Sequence, residues 1–266
     1  MGNRVKRIRL FYNDNDKSIK IALSLNNKLL EYGYEVVYTD NFDLGIAIGG
    51  DGSFLRMVKN CQFRNDVYYI GVNTGTLGFA QEIYPNDIDL FLDNLSSNNY
   101  KIDNVGIQSN IVETRNSKSE FYSLNEILIR DKNLNTSFLD VFINEKLLEN
   151  FVGDGVLVST SFGSTAYNLS YGGSIVYNDL HTMQITPVAP LSNKSYQVLR
   201  NSVIIPEDRI INIRPNYRIK DLLLTNDGDN QVYDDVLNID ISVKKKIKFL
   251  RMNDYDYTKK INEKFL

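Results

Sequence analysis

Apolar positions set the pattern of the first third of the chain. Val5 to Tyr12 is apolar and β-prone; Ile21, Ala22, Leu25 and Leu29 then recur at helical spacing, and Gly33 follows as a stop. Val36 to Tyr38 reads as a short strand. Leu44 to Ile48 is a continuous apolar run, which suits a strand covered on both faces in a parallel sheet. A Gly-rich turn and a second helical stretch come next. Val67 to Val72 repeats the continuous pattern, again with a Gly-rich segment after it, and Ile88, Phe91, Leu92 and Leu95 mark another amphipathic helix. The series predicts βαβ units, hence an open parallel sheet with helices around it.

Near residue 100 the pattern changes. Short β-like segments succeed one another: Gly106 to Thr114, Phe121 to Arg130, Phe138 to Ile143, Gly155 to Ser159, Val203 to Ile205, Ile210 to Arg214, Asp221 to Thr225 and Val236 to Val243. One helix is expected among them, near Ser164 to Leu169. The reading is two domains, an α/β domain over residues 1–100 and a β-rich domain over residues 101–266, with the boundary near Tyr100. No Pro/Gly/Ser linker, repeat or low-complexity tract marks it. The tail from Asn253 is charged and aromatic. Packing back on the first domain is one expectation for it, which periodicity does not decide.

Composition narrows the function classes. The 266 residues are 42% hydrophobic and 24% charged, enough apolar material for a sizeable core. The net charge is -3, from 30 basic and 33 acidic side chains, so the positive field of a nucleic-acid binder is missing. No stretch approaches the ~20 apolar residues of a membrane span. The short basic segment Met1 to Arg9 precedes no long apolar run, so no signal peptide and no membrane partner are expected. The single cysteine, Cys61, cannot form an internal disulfide, which points to a reducing, cytoplasmic setting. It sits at what reads as a helix end and is read as structural. The single histidine, His181, excludes zinc chemistry built on several imidazoles.

Gly49-Gly50-Asp51-Gly52 directly follows the buried run 44–48. In open α/β sheets, ligands bind at the carboxyl ends of the strands. Glycines let the backbone come close to a ligand, and amides at the start of the following helix hold phosphate oxygens. Asp51 is the odd member. A carboxylate among such amides needs a reason, such as a metal ion to hold or a proton to take. The plainer alternative is that Asp51 caps a helix beginning near Ser53. A second Gly-rich cluster, Gly71 to Phe79, also follows an apolar strand, and adjacent parallel strands would place both loops at one sheet edge. In the β-rich half, Asn125 and Glu126 interrupt the apolar stretch Tyr122 to Ile129. Gly153-Asp154-Gly155 precedes the strand at Val156, and Ser159 to Tyr167 is dense in hydroxyls and backbone amides. That density suits the ribose and amide groups of a nucleotide; a solvated loop capping the next helix is the alternative.

Taken in order, five motifs resemble the NAD kinase family: Gly-Gly-Asp-Gly at 49–52, Asn-x-Gly-x-Leu-Gly-Phe at 73–79, Leu-Asn-Glu at 124–126, Gly-Asp-Gly at 153–155 and Gly-Ser-Thr-Ala-Tyr at 163–167. Asp227-Gly228 is similar to that family's late Asp-Gly. The Gly-Gly-Asp-Gly turn alone is shared with diacylglycerol and sphingosine kinases and with 6-phosphofructokinase; the ordered set is specific. The resemblance implies a Rossmann-like α/β N-terminal domain, a β-rich C-terminal domain and NAD bound between them. It implies transfer of a phosphoryl group from ATP to the 2′-hydroxyl of the adenosine ribose of NAD, giving NADP. Asp51 would be the catalytic carboxylate, and Gly50 and Gly52 would offer amides to phosphates. Phe79, Asn125 and Glu126 would line the adenosine. Asp154, Thr165, Ala166, Tyr167, Ser170 and Ala189 would complete the dinucleotide site. Tyr196 would come from a neighbouring subunit, since the family assembles as homodimers or homotetramers. No Gly-Lys dipeptide, and hence no Walker A motif, occurs in the chain. Mg²⁺ is therefore the expected neutraliser of the triphosphate, with no protein ligand assignable from spacing.

Two positions depart from the family's pattern. Val152 stands where a basic residue usually precedes the second Gly-Asp-Gly, which removes an expected charge contact to the dinucleotide. Thr160-Ser161-Phe162-Gly163 stands where Thr-Pro-Thr-Gly is usual, putting a large ring in place of a small hydroxyl residue. Other functions fit less well. A lipid or sphingoid-base kinase would share the first turn but lack the Asn-Glu and Gly-Ser-Thr-Ala-Tyr elements. A non-catalytic NAD(P)-binding sensor would gain nothing from a carboxylate beside phosphates. An NAD-dependent oxidoreductase would need Gly-x-Gly-x-x-Gly after a strand, and Leu55 occupies the place of the third glycine.

Overall fold

The computed structural model describes residues 5–75 and 78–266. It divides into two compact units. One comprises the residues up to Val105 together with Ile247–Leu266; the other is Gly106–Lys246. Among the described residues no helix is long and apolar enough to cross a membrane.

In the first unit, β1 (Arg7–Tyr12) leads to α1 (Asp16–Glu31), β2 (Glu35–Val36), β3 (Leu44–Gly49), α2 (Asp51–Asn60) and β4 (Tyr68–Asn73). A 3-10 turn at Pro85–Asp87 then introduces α3 (Ile88–Ser96). α1 begins where the Asn15 side chain accepts the Ser18 amide, which satisfies a donor the helix cannot pair internally. It buries Ala22, Leu25 and Leu29 on one face, as their spacing predicts. The strands run parallel in the order β2-β1-β3-β4. All six residues of β3 are buried. That is why its sequence is an unbroken apolar run rather than an alternation. β3 and β4 pair with Leu44 opposite Tyr68 and Gly49 opposite Asn73, so the two Gly-rich segments leave the sheet side by side.

The second unit is two antiparallel sheets sharing one core. Its elements are β5 (Tyr100–Thr114, which begins in the first unit), β6 (Lys118–Ser123), β7 (Glu126–Asp131), β8 (Ser137–Ile143), β9 (Lys146–Gly153) and β10 (Gly155–Thr160). They continue with α4 (Tyr167–Ser170), β11 (Thr182–Val188), β12 (Val203–Pro206), β13 (Ile211–Pro215), β14 (Leu222–Asn226), β15 (Asp229–Tyr233) and β16 (Val236–Met252). One sheet runs β12-β11-β10-β7-β14-β15. The other has the order β16-β13-β8-β9, with β5 on β16 and β6 on β5. Ile127, Val156, Val158 and Leu224 from the first sheet meet Leu139, Val141, Ile213 and Ile241 from the second in a single cluster. Each such buried aliphatic side chain contributes about 1.5–3 kcal/mol, which gives a rigid frame for irregular turns. The end of β16 returns to the first unit, where Lys248 and Phe249 pair in parallel with Tyr68 and Tyr69 of β4. α5 (Tyr257–Phe265) follows, capped by Asp256.

Three sequence expectations change. Phe121 to Arg130, read as one strand, is two strands, broken at Leu124 and Asn125. The helix expected near Ser164 to Leu169 is a 3-10 turn, Phe162–Thr165, and the single-turn α4, interrupted where Ala166 adopts ψ -133°. β9, β11 and β15 were not expected. β9 has no clean alternation, exposing its first half and burying Phe151, Val152 and Gly153, and β11 buries Gln184 and Pro187 among its apolar residues.

Candidate functional site

In the first unit the candidate site is built around Asp51. The N-cap position of α2 is Gly50, which supplies no side-chain cap bond, and Asp51 is the first helical residue. Its carboxylate does not close back on its own helix, so the capping alternative is not what the fold uses. Instead, Oδ2 accepts the Phe79 amide at 3.0 Å and Oδ1 accepts the Ala80 amide at 2.9 Å. The second Gly-rich segment thus holds the acid of the first. Gly78 makes this possible. A Cβ there would sit 2.0 Å from Asp51 Oδ1, so only glycine lets the carboxylate seat against the loop. Two further bonds tie the segments together: Gln81 Nε2 donates to Gly50 O at 2.7 Å, and Thr74 N donates to Gly49 O at 3.2 Å. Thr76 and Leu77 of the 73–79 motif lie outside the described residues.

The space on the other side of this turn is open. A Cβ added at Gly50 or at Gly52 would meet nothing within 4 Å, and Asp51 itself is exposed. Gly52 lies inside α2, where glycine costs about 0.5–1 kcal/mol relative to alanine. Neither packing nor backbone geometry asks for glycine at these two positions.

In the second unit a different aspartate organises the irregular turn. Asp227 adopts a left-handed φ of 46° and is 7% exposed. Its carboxylate accepts three successive amides, Leu124 at 2.7 Å, Asn125 at 2.8 Å and Glu126 at 3.1 Å. The bend that breaks the expected strand is therefore held from below by Asp227. From the opposite side, Thr160 Oγ1 donates to Leu124 O at 2.7 Å and accepts the Gly163 amide at 3.0 Å. Gly163 presses directly on Asn125, where a Cβ would meet the backbone oxygen at 2.2 Å. So the Leu-Asn-Glu, Gly-Ser-Thr-Ala-Tyr and late Asp-Gly motifs form one knot. It leaves the Asn125 side chain partly exposed and Glu126 buried.

Helix α4 continues from this knot. Asn168, fully buried, anchors it by donating to Ser164 O at 3.1 Å and accepting from Thr186 Oγ1 at 2.6 Å. Thr165 and Ala166 are partly exposed, and Tyr167 and Ser170 are exposed. The hydroxyls of Tyr167 and Tyr171 lie 2.8 Å apart, and their rings meet edge-on at 4.8 Å. Asp154 and Ala189 sit elsewhere, at the start of β10, where Asp154 N donates to Val188 O. Ser159, paired with Glu126, lies near the other end of that strand. The predicted residues of this unit therefore fall into two groups about five residues of strand apart, roughly 16 Å at ~3.3 Å per residue. Tyr196 packs edge-on against Phe138 of its own chain at 6.3 Å and accepts from Arg218 at 3.0 Å.

Several remaining expectations find their places. Phe79 is only 8% exposed and its ring packs against Tyr257 and Phe265 of α5, so the group it turns to Asp51 is its amide. Cys61 ends α2 and is buried, and burial pushes its thiol up to about 11, which makes it a structural thiol. His181 is exposed beside Glu207. Sequence reasoning missed Lys260, whose ammonium lies beneath the Phe79 loop, and gave Asp227 no role. Asp227 carried a signal, the Asp-Gly pair at a turn; Lys260 carried none.

Comparison with known proteins fits this arrangement. The family model described as the ATP-NAD kinase N-terminal domain matches residues 30–100, and the ATP-NAD kinase C-terminal domain matches residues 124–254. An NAD kinase of Finegoldia magna is 37% identical over 275 residues, spanning 100% of both chains. One from Clostridium beijerinckii is 32% identical over 85% of this chain and 79% of its own. Among solved structures, a yeast NADH kinase complexed with NADH superposes with a TM-score of 0.86 at 21% identity, covering 98% of this chain and 87% of that one. An Archaeoglobus fulgidus NAD kinase in complex with ATP gives 0.75 at 20% identity, over 97% and 99%. The two structures share the fold with this chain. With both domain models matched in sequence order and 37% identity along its whole length to a curated NAD kinase, the chain belongs to the NAD kinase family.

Proposed function

We propose that the chain uses ATP to phosphorylate the 2′-hydroxyl of the adenosine ribose of NAD, giving NADP and ADP, with Asp51 as the proton acceptor. The observation that carries this reading is the seat of Asp51. A carboxylate fixed by two backbone amides stands at the mouth of a glycine turn with open space beside it. In the step proposed, the ribose oxygen attacks the γ-phosphorus, the bond from that phosphorus to the β,γ-bridging oxygen breaks, and the hydroxyl proton passes to Asp51. Each carboxylate oxygen accepts one amide and keeps a further lone pair for the hydroxyl. Gly50 and Gly52 give the nucleotide phosphates access to the amides of α2, whose positive dipole end favours anions. Asn125, Glu126, Asp154, Thr165, Ala166, Tyr167, Ser170 and Ala189 are proposed to hold the dinucleotide, Phe79 to contribute through its amide, and Tyr196 to act in a homodimer or homotetramer.

Mg²⁺ is proposed to enter as part of the triphosphate. Among the described residues no group of three or more His, Cys, Asp or Glu side chains is placed to hold a metal ion. The reading therefore assigns the cation to the nucleotide substrate, bridging its phosphate oxygens. The cytoplasm is the proposed compartment, and neither nucleic acid nor a membrane is proposed as a partner.

The test is direct. Purified protein incubated with NAD, ATP and Mg²⁺ should form NADP, read by an NADP-specific dehydrogenase. Excess chelator should abolish the signal, and full activity without divalent cation would refute the metal requirement. Absence of NADP with any nucleoside triphosphate would overturn the reading itself. Tyr167→Ala should raise the KM for NAD about five- to a hundredfold while leaving kcat within a few-fold, since a base–aromatic stack is worth roughly 1–3 kcal/mol. An unchanged KM would remove Tyr167 from the site.

A further inference from the structure

The loop that fixes Asp51 is itself held from the opposite side. Its amides point to the carboxylate, with Phe79 N and Ala80 N donating to Asp51. Its carbonyls point to Lys260 of α5, whose Nζ donates to Phe79 O at 3.0 Å and to Gln81 O at 2.5 Å. Lys260 is 7% exposed. The same helix clamps the loop by packing, with the Phe79 ring 5.9 Å from Tyr257 and 5.5 Å from Phe265. The Phe79–Ala80 peptide is thus polarised in one direction, its C=O accepting from the Lys260 ammonium and its N–H donating to the Asp51 carboxylate. Hydrogen bonds in such chains strengthen one another.

We propose that Lys260 is a positioning residue for phosphoryl transfer, holding from the C-terminal helix the loop whose amides aim the Asp51 carboxylate. This rests on the reading of Asp51 as the proton acceptor. Displacing a reacting group by as little as ~1 Å can cost about a hundredfold in rate, so a buried strut behind the carboxylate acts on kcat rather than on dinucleotide affinity.

The ammonium is also poised to titrate. Burial is the main cause that lowers Lys260, to about 8, and Arg251 on β16 adds to this. Glu82 in the loop after β4, Asp51 at the start of α2 and Glu263 on its own helix act the other way. Its Nζ also lies 5.0 Å from the Tyr255 ring centroid. Below pH 8 the charged form grips the two carbonyls; above it the neutral amine holds them more weakly, so kcat should fall. Stability should move oppositely. Between about 8 and the ordinary lysine value the unfolded chain binds a proton that the folded chain does not, so folding is favoured as pH rises through that window.

The experiment compares wild type, Lys260→Met, Lys260→Arg and Asp51→Asn in the NADP-forming assay from pH 6.5 to 9.5, with melting temperatures alongside. Lys260→Met should lower kcat about tenfold or more and leave the KM for NAD within twofold. Lys260→Arg should retain most activity at pH 7 and lose the alkaline fall, because guanidinium stays charged. The melting temperature of wild type should rise relative to that of the Met variant between pH 8 and 9.5 while its kcat falls. A folded Met variant with wild-type kcat, or a KM effect alone, would overturn the proposal. So would an Arg variant with the same alkaline limb, which decides the matter even where the Met variant does not fold. Normal Lys260 variants beside an inactive Asp51→Asn would sink only this inference; an active Asp51→Asn would sink the reading beneath it.

Discussion

Asp51→Asn should lower kcat by roughly a hundredfold or more, the scale of a lost general base, while NAD still binds. Two effects act together, and the structure separates them. The amide cannot take the hydroxyl proton. It also presents an NH₂ to one of two positions now occupied by backbone donors, Phe79 N or Ala80 N, so one bond becomes a donor–donor contact. The lost charge-assisted bond should cost about 1.5–3 kcal/mol of local stability, visible as a lower melting temperature. Calorimetric titration with NAD should give a Kd within a few-fold of wild type. A variant with near-normal kcat would exclude Asp51 from proton transfer. A variant that neither turns over nor binds NAD would show that the lost contact had disordered the turn, and Asp51→Glu, which keeps the charge and shifts it by one methylene, then distinguishes reach from chemistry.

Asp227→Ala should be strongly destabilising to the second unit. It removes the acceptor for three backbone donors at 2.7 to 3.1 Å, and a buried donor left unmet costs about 1–3 kcal/mol. Alanine at a φ of 46° adds roughly 1 kcal/mol of strain. Relaxation and water will satisfy part of this, so a loss of roughly 3–6 kcal/mol is expected, against a total of about 5–15 kcal/mol for an ordinary domain. Calorimetry should show the melting temperature falling by about 10 °C or more. Asp227→Asn keeps one acceptor and tolerates the left-handed backbone, so it should lose less than half as much. A shift of under ~2 °C for the alanine variant would mean that the Leu124–Glu126 bend is held by other contacts.

The contrast between these two aspartates shows what a sequence makes legible. The parallel sheet was readable because β3 and β4 are buried on both faces and carry unbroken apolar runs. Their adjacency then brings the two Gly-rich segments together, Gly49 opposite Asn73. The bend at Asn125 was not readable as a bend. Its apolar flanks continue on both sides, and the restraint that breaks the strand comes from Asp227, more than 100 residues later. Lys260 shows the same limit more strongly, since it reaches Phe79 across a separation of 181 residues. Periodicity reports which face of an element is covered, not which distant side chain covers it. Likewise Gly78 and Gly163 looked like loop glycines. Only the packing of the Asp51 carboxylate and the Asn125 backbone against them reveals why no other residue fits.

The discontinuity of the first unit has a consequence for synthesis. The turn bearing Asp51 emerges early, but the strand that pairs with β4 and the helix beneath the Phe79 loop belong to Ile247–Leu266. About 140 residues separate Val105 from Ile247, roughly 7 to 28 seconds of translation at ~5–20 residues per second. Throughout that interval Tyr68 and Tyr69 at the start of β4 lack their partner strand, an edge able to recruit other chains. The second unit, contiguous in sequence, can fold while the first still waits for its last strand. A nascent chain is therefore most vulnerable to misassembly in its oldest part, and ribosome pausing anywhere within residues 106–246 should lower soluble yield more than pausing before residue 60.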